Sequence, residues 1–433
     1  MTHDPGLRRA LDDGPMSRFQ LQAIGLCVAL NMLDGFDVLV MAFTAPEVAR
    51  EWGLSGAQLG LLLSAGLVGM AAGSLFVAPW ADRFGRRAIT LLCLAVITLG
   101  MAASAFSGSV EQLAALRVMT GVGVGGILAS LNVVTSEYSP ERWRNTAISL
   151  QVTGYPIGAT VGGTVAAYLI TVHGWRSAFL LGAAASFVMI PVVIHRLPES
   201  LDFLLARQPK DALARLNRLL ARMGRSPLAS LPPRPAAEPG ARNPLGGLFE
   251  RGAVRSTLLV WSAFFLVMFS FYFVTSWTPK LLVAAGLSTR QGVTGGVLLN
   301  LGGIVGGTLF GSLAPRVPLK RLASAYLAAT ATAVALFGLV AADLRAAFPI
   351  ALAIGVFLFG SMVGLYAATP RLYPAAFRTT GMGWAIGIGR LGAILAPLVA
   401  GVMVDAGWAT SALYFAFAAP LVLAVLAVRA LEI

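Results

Sequence analysis

Ser139-Pro140-Glu141-Arg142-Trp143-Arg144-Asn145-Thr146-Ala147 and Tyr373-Pro374-Ala375-Ala376-Phe377-Arg378-Thr379-Thr380-Gly381 are one stretch written twice. Each has Pro, three residues, Arg, a polar residue and Thr, and the two prolines stand 234 residues apart. Each follows a long apolar run, so the chain repeats itself at about half its length. A weaker copy at nearly the same shift pairs Pro79-Trp80-Ala81-Asp82-Arg83-Phe84-Gly85-Arg86-Arg87 with Ala314-Pro315-Arg316-Val317-Pro318-Leu319-Lys320-Arg321.

Working outward from these copies, apolar runs long enough to cross a hydrocarbon core of ~30 Å recur along the whole chain. In the first half they cover 19–42, 57–80, 88–108, 112–136, 145–169 and 177–195. In the second they cover 256–278, 291–314, 322–342, 348–369, 380–404 and 410–428. The expected division is a six-helix half over 1–196, a linker over 197–255 and a second six-helix half over 256–433. Within the linker, Leu201 to Met223 is expected as an amphipathic surface helix and Leu231 to Pro244 as Pro-rich connection. The fold class is an all-α membrane protein of about twelve spans in two pseudo-symmetric bundles. Parallel repeats of this kind place a solute site at midplane between the halves.

Composition agrees. Of 433 residues 57% are hydrophobic and 12% charged, with mean hydropathy +0.78; soluble chains carry about 25% charged residues. The 32 Lys and Arg against 19 Asp and Glu do not form a basic and aromatic patch, so nucleic acid is excluded as a partner. They follow the positive-inside rule instead. Arg50, Arg176, Lys280, Arg290 and Arg345 lie on one side, Arg117 and Arg390 lie within spans, and every other Lys and Arg falls opposite. Both termini and the linker are therefore expected in the cytoplasm of a bacterial cell, with the chain multi-pass in the inner membrane and working as a monomer. The polar start, Met1 to Arg18, precedes an uncleaved first span. Cys27 and Cys93 sit in apolar runs and offer neither a disulfide framework nor metal-ligand spacing. No cofactor is expected: the Gly-rich run from Gly121 to Gly126 follows no strand and is a helix-packing seam. No Ser/His/Asp or Cys/His set converges, which argues against an enzyme.

Charge inside the spans carries the chemistry. Asp34-Gly35-Phe36-Asp37 places two carboxylates about one turn apart on one face of the first span, with Gly35 allowing local unwinding. Each mid-span charge costs ~2.5–3.5 kcal/mol on insertion scales. Two carboxylates in low dielectric repel and resist ionising, which suits proton capture. Arg117 in span four is the cation expected to act on that pair; a buried ion pair of Asp34 with Arg117 would be the purely structural alternative. Arg390, mid-span in the second half, offers a bidentate dock for a carboxylate. No acidic residue lies mid-span in that half, since Asp343 and Asp405 sit at span ends, and this favours an acidic ligand. Trp384 lies six residues before Arg390 near the same cavity; Asn31, Gln151, Tyr155 and Asn300 are candidate polar lining groups, with Asn132 a further mid-span amide. Tyr272 and Phe273 are expected as the wall of a ring-binding pocket, and Trp277 in the interfacial belt. In the loop after span two, Gly85 permits a sharp turn. Asp82 there would meet positive charge or a helix N-terminus, while the arginines hold anionic groups.

The Asp82–Arg87 loop with its degenerate second copy resembles the major facilitator superfamily. The resemblance implies a conformational latch at Asp82, Arg83, Gly85, Arg86 and Arg87, with Arg144 and Arg378 in the related loops. Asp34-Gly-Phe-Asp37, the same loop, and Tyr373-Pro374 through Gly392-Ala-Ile to Pro397 together resemble one branch, the aromatic acid:proton symporters. That likeness covers essentially the whole chain. It implies that Asp34 and Asp37 are needed for transport and that Arg117 and Arg390 matter. Arg371 stands where that branch often has an acid before Leu-Tyr-Pro, so a second-half carboxylate latch is not expected.

The reading is import of a small aromatic carboxylate (hydroxybenzoate- or benzoate-like) with protons, by alternating access in the lipid bilayer. The alternatives are a proton-coupled transporter of another organic acid, or a drug:proton antiporter, which would leave Arg390 unused. A solute sensor would call for an added signalling domain, and 197–255 is a poor candidate for one.

Overall fold

The computed structural model describes residues 15–232, 248, 254–373 and 378–431. The charged start before residue 15 and most of the Pro-rich linker lie outside them. Among the described residues there is no strand, and twelve helices are long and apolar enough to cross a membrane. We number these α1 Arg18–Trp52, α2 Gly56–Phe84, α3 Arg86–Ser104, α4 Val110–Glu137, α5 Glu141–His173 and α6 Arg176–Arg196. The second set is α7 Val254–Ala284, α8 Thr289–Leu313, α9 Leu319–Val340, α10 Leu344–Arg371, α11 Arg378–Asp405 and α12 Thr410–Ala430. Each apolar run became one helix. Several helices outrun the apolar stretch because polar caps extend them. Ser17, Ser55 and Ser288 close capping boxes with Gln20, Gln58 and Gln291, and left-handed Gly53 ends α1. The linker's surface helix is broken in two, Leu201–Arg207 and Ala212–Arg222, because Gln208 turns left-handed before Pro209.

The repeat is visible in the packing. Within the first half α1 lies on α5, α2 on α4, and α3 on α4 and α6; within the second α7 lies on α11, α8 on α10, and α9 on α10 and α12. The glycine seams match as well. A methyl on Gly69 or Gly73 would come within 2.1 Å of the carbonyl oxygens of Val118 and Val122. In the second half Gly302 and Gly306 stand against Leu352 and Val356 at 2.1 and 1.9 Å. Backbone meets backbone at both crossings, which only small residues permit.

Contacts between the halves gather at one end of the bundle, the end remote from the chain termini. There α2 lies along α11 and α5 along α8. A methyl on Gly60 would stand 2.5 Å from the Pro397 carbonyl oxygen, and Ser64 donates to the Ile394 carbonyl at 2.8 Å. The Asp405 carboxylate accepts the N–H groups of Gly56 and Ala57, and Thr289 bonds Glu47. Trp277 is buried inside this contact, donating to the Pro397 carbonyl at 3.2 Å, so it is not an interfacial anchor. Toward the other end the same face of α11 is free: methyls on Gly387 and Gly383 would meet nothing within 4 Å. The halves thus close at the far end and open toward the termini.

Candidate functional site

The carboxylate pair sits in the packed interior of the first half. Asp34 and Asp37 are each 2% exposed, and the Oδ2 atom of each has no hydrogen-bond partner among the described residues. The helix does not unwind between them, since α1 runs unbroken from Arg18 to Trp52. Gly35 serves close packing instead: a methyl there would lie 2.0 Å from the Tyr155 carbonyl oxygen on α5. Arg117 is buried beside Asp37 and not paired with Asp34. Its guanidinium donates to the Asp37 backbone carbonyl at 3.5 Å, to Thr120 and to the Met101 sulfur, over the Phe179 ring. A cavity of about 20 Å³, room for one water, opens between Asp37, Arg117, Met41, Leu63 and Gly121.

Arg390 lies on the α11 face that is closed above it at Ile394 and Pro397 and open below it at Gly387. It is half-buried, and no acidic side chain pairs with it among the described residues. It lies near the half-buried Tyr272 of α7 and Tyr366 of α10. Tyr366 is 37% exposed, with its ring edge-on to Phe264 at 5.5 Å. Tyr155 of α5, near Tyr272 and Asp34, keeps a buried hydroxyl without a hydrogen-bond partner among the described residues. Trp384 stacks on Trp261 at 5.7 Å on the open side of Arg390.

Two expected lining residues are placed elsewhere. Phe273 has no exposure; it stacks on Phe417 of α12 at 3.8 Å and 8°, turned away from the Tyr272 face. Asn31 is spent on helix packing, donating to the backbone carbonyls of Gln151 and Val152 at 2.7 and 3.3 Å. Gln151 and Asn300 are each 1% exposed and keep one buried, unpartnered amide oxygen; Asn300 donates to the Gly296 carbonyl. Tyr366 was not expected from the sequence. It falls 234 residues after Asn132, at the repeat shift, and that register was the available signal.

The loop between α2 and α3 is held from outside the motif. Gly85 has φ +101°, which favours glycine. The N-terminus of α3 is capped by Glu199, whose Oε1 accepts the N–H groups of Arg86 at 2.7 Å and Arg87 at 3.2 Å. Asp82 does not take that cap: it pairs with Arg86 at 3.0 Å, and its carbonyl accepts from Arg207. Arg87 reaches the Ile194 carbonyl, and Arg83 lies over Phe84. Glu137, at the end of α4, caps the linker helix Leu201–Arg207, accepting from the Ser200 hydroxyl and the Leu201 N–H. The loop, the end of α4 and the segment after α6 thus form one bonded cluster. Arg144 is partly buried in the first turn of α5; the Arg378 side chain and Pro374 lie outside the described residues.

Two six-helix bundles that meet at one end, with ionisable side chains buried within the spans, define a secondary transporter. The Major Facilitator Superfamily profile matches residues 26–369, and the chain belongs to that superfamily. It is 34% identical to the gallate transporter of Pseudomonas putida over 97% of this chain and 93% of the relative. It is 33% identical to the 4-hydroxybenzoate transporter PcaK of Pseudomonas aeruginosa, over 96% and 93% respectively. Among solved structures it resembles the inward-open xylose transporter XylE from Escherichia coli. There the TM-score is 0.75, with 17% identity over 94% of this chain and 95% of that one. The chain is a multi-pass membrane transporter, not an enzyme.

Proposed function

We propose that this protein imports an aromatic carboxylate, of the hydroxybenzoate type, together with protons. The observation that supports this most is Arg390: a half-buried guanidinium on the open face of α11, near Tyr272 and Tyr366, with no acidic side chain paired to it among the described residues. A planar fork beside aromatic rings suits a ring that carries a carboxylate. The gallate and 4-hydroxybenzoate relatives move acids of that description.

Asp34 and Asp37 are the proton sites in this reading, with Arg117 and the water-sized cavity beside Asp37 favouring release. The substrate contacts are Arg390, Tyr272, Tyr366 and Tyr155, with Asn300 and Gln151 behind them and Trp384 on the exit side. Residues 1–196 and 256–433 rock against each other, with the far end facing the periplasm and both termini in the cytoplasm. The Asp82–Arg87 loop and its Glu199 cap gate the cytoplasmic end, with Arg144 and Arg378 in the corresponding loops. A single chain is the working unit. One proton with one monoanion is electroneutral and is driven by the pH gradient alone, whereas a second proton would add about 2.3 kcal/mol per 100 mV.

Uptake of labelled 4-hydroxybenzoate into proteoliposomes under an inside-alkaline gradient tests this. Wild type should accumulate the acid, while Asp34→Asn and Arg390→Ala should not. Wild type that accumulates neither this acid nor a panel of related ones rules the aromatic-acid reading out.

A further inference from the structure

Arg117 lies beside Asp37, yet its bonds go to the Asp37 backbone and to neutral side chains, none to the carboxylate. We propose that Thr120 is the reason, a positioning residue that holds the guanidinium off Asp37 and so sets the pH at which Asp37 releases its proton. This deepens, and rests on, the reading of Asp37 as a proton site.

The guanidinium is buried among neutral neighbours. Nη1 donates to the Met101 sulfur at 3.3 Å, and Nη2 donates to the Thr120 hydroxyl oxygen and to the Asp37 carbonyl at 3.5 Å. The Phe179 ring lies 5.6 Å from its central carbon. Among the described residues no ion pair joins Arg117 to a carboxylate. The Thr120 oxygen is committed to its task. A hydroxyl has one O–H to give, and Thr120 gives it to the Arg117 backbone carbonyl at 3.0 Å, so only lone pairs remain for the guanidinium. On the other side Asp37 Oδ1 lies 3.3 Å from where a Gly182 methyl on α6 would be, with the Met101 methyl 2.2 Å from the same point. Carboxylate and thioether thus share one pocket against α6, while Oδ2 stays buried without a partner. The charged groups near Asp37 are Asp34 on its own helix and Arg117 on α4; Cys93 of α3 and Tyr155 of α5 lie near Asp34. From α2 only apolar groups such as Leu62, Leu63 and Leu67 reach the water-sized cavity.

While Asp37 holds its proton it is neutral, and the guanidinium rests on Thr120 and Met101. When the proton passes to water, the electron pair stays on the carboxylate, which then competes with Thr120 for the same Nη2 donor. A charge-assisted bond is about twice as strong as a neutral one, so the carboxylate wins that competition. Its gain is smaller by whatever bond Thr120 gives up. Thr120 therefore makes Asp37 keep its proton to a higher pH than an unrestrained Arg117 would allow. An opposite charge at close range favours the ionised carboxylate, and Thr120 withholds that charge until ionisation pulls it across.

The test is an infrared titration of the purified full-length protein between about pH 4 and about pH 9, following the carboxylic C=O band that Asp37→Asn removes. Thr120→Val keeps the shape of the side chain and loses only the acceptor. Its midpoint should fall by about one pH unit, tenfold in proton affinity. Thr120→Ser keeps the acceptor and loses the methyl that packs 2.5 Å from where a Gly100 methyl on α3 would be. Its proton affinity should stay within about twofold of wild type. A merely structural role predicts the reverse order, because serine leaves the hole and valine fills it. In an Arg117→Gln background the valine substitution should not move the midpoint, since no charge is left to release. An unshifted midpoint in Thr120→Val, or an equal shift without Arg117, overturns the positioning role and leaves the symport reading intact. A wild-type band that does not titrate overturns Asp37 as a proton site, and this role with it.

Discussion

Asp405, the last residue of α11, caps the first turn of α2 across the interface: Oδ1 accepts the Gly56 N–H at 2.5 Å and Oδ2 the Ala57 N–H at 2.8 Å. A carboxylate at a helix N-terminus satisfies orphan amides and complements the helix dipole. Losing such a cap costs about 0.5–2 kcal/mol. Asp405→Ala should therefore shift the population toward the state open at the far end, by roughly twofold to thirtyfold. A cysteine at Ser64, which bonds α11 in the closed interface, reports it. The native cysteines are both buried, so background labelling is low. Faster labelling of Ser64→Cys by a membrane-impermeant reagent in the Asp405→Ala background is the expected result.

Gly35→Ala should destabilise the protein by about 1–3 kcal/mol, the usual cost of overpacking a closed contact. The methyl would stand 2.0 Å from a backbone oxygen, which cannot swing away as a side-chain end can. Gly25→Ala on the same helix meets nothing within 4 Å and should be neutral or slightly stabilising. A thermal melt of both variants in detergent separates the close-packing role of Gly35 from a general intolerance of α1 to substitution.

Tyr366→Phe should raise the dissociation constant for 4-hydroxybenzoate by about twofold to tenfold, as expected for one lost hydrogen bond. Phe273→Leu should leave affinity unchanged, because that ring faces Phe417 and Tyr414. Equal effects from the two substitutions would show that the wall has been drawn on the wrong face of α7 and α10.

Glu199→Ala uncaps α3 and leaves the amides of Arg86 and Arg87 without their acceptor. The expected loss is about 1–2 kcal/mol of stability, with a slower transport rate and unaltered ligand affinity, since Glu199 lies far from the cavity. Parallel measurement of binding and of saturated uptake checks the split.

The bilayer made the spans legible: hydrocarbon thickness fixes the length of an apolar run, and all twelve runs became helices. The mid-span charges were legible for the same reason, because Asp34, Asp37, Arg117 and Arg390 are conspicuous in lipid. Other parts were not. Tyr272 and Phe273 are neighbours about 100° apart on one helix, and only packing shows which one meets the cavity. Asn31 looks like a cavity amide until α5 takes its N–H groups. The role of Gly35 depended on knowing which helix crosses it. Glu199 stands in a Leu-Pro-Glu-Ser stretch that reads as plain loop, and the Arg86 and Arg87 amides it caps are more than a hundred residues away.

One helix joins the ligand to the outer seal. Arg390 and Asp405 are both on α11, about 22 Å apart along its axis at 1.5 Å per residue. Between them Pro397 interrupts the backbone ladder, and its carbonyl is held by Trp277. Pro397 thus divides α11 into an arm that carries Arg390 and an arm whose Asp405 holds α2. Under the proposed docking at Arg390, a ligand that tilts the first arm would load the second, coupling the filling of the site to the seal at the far end.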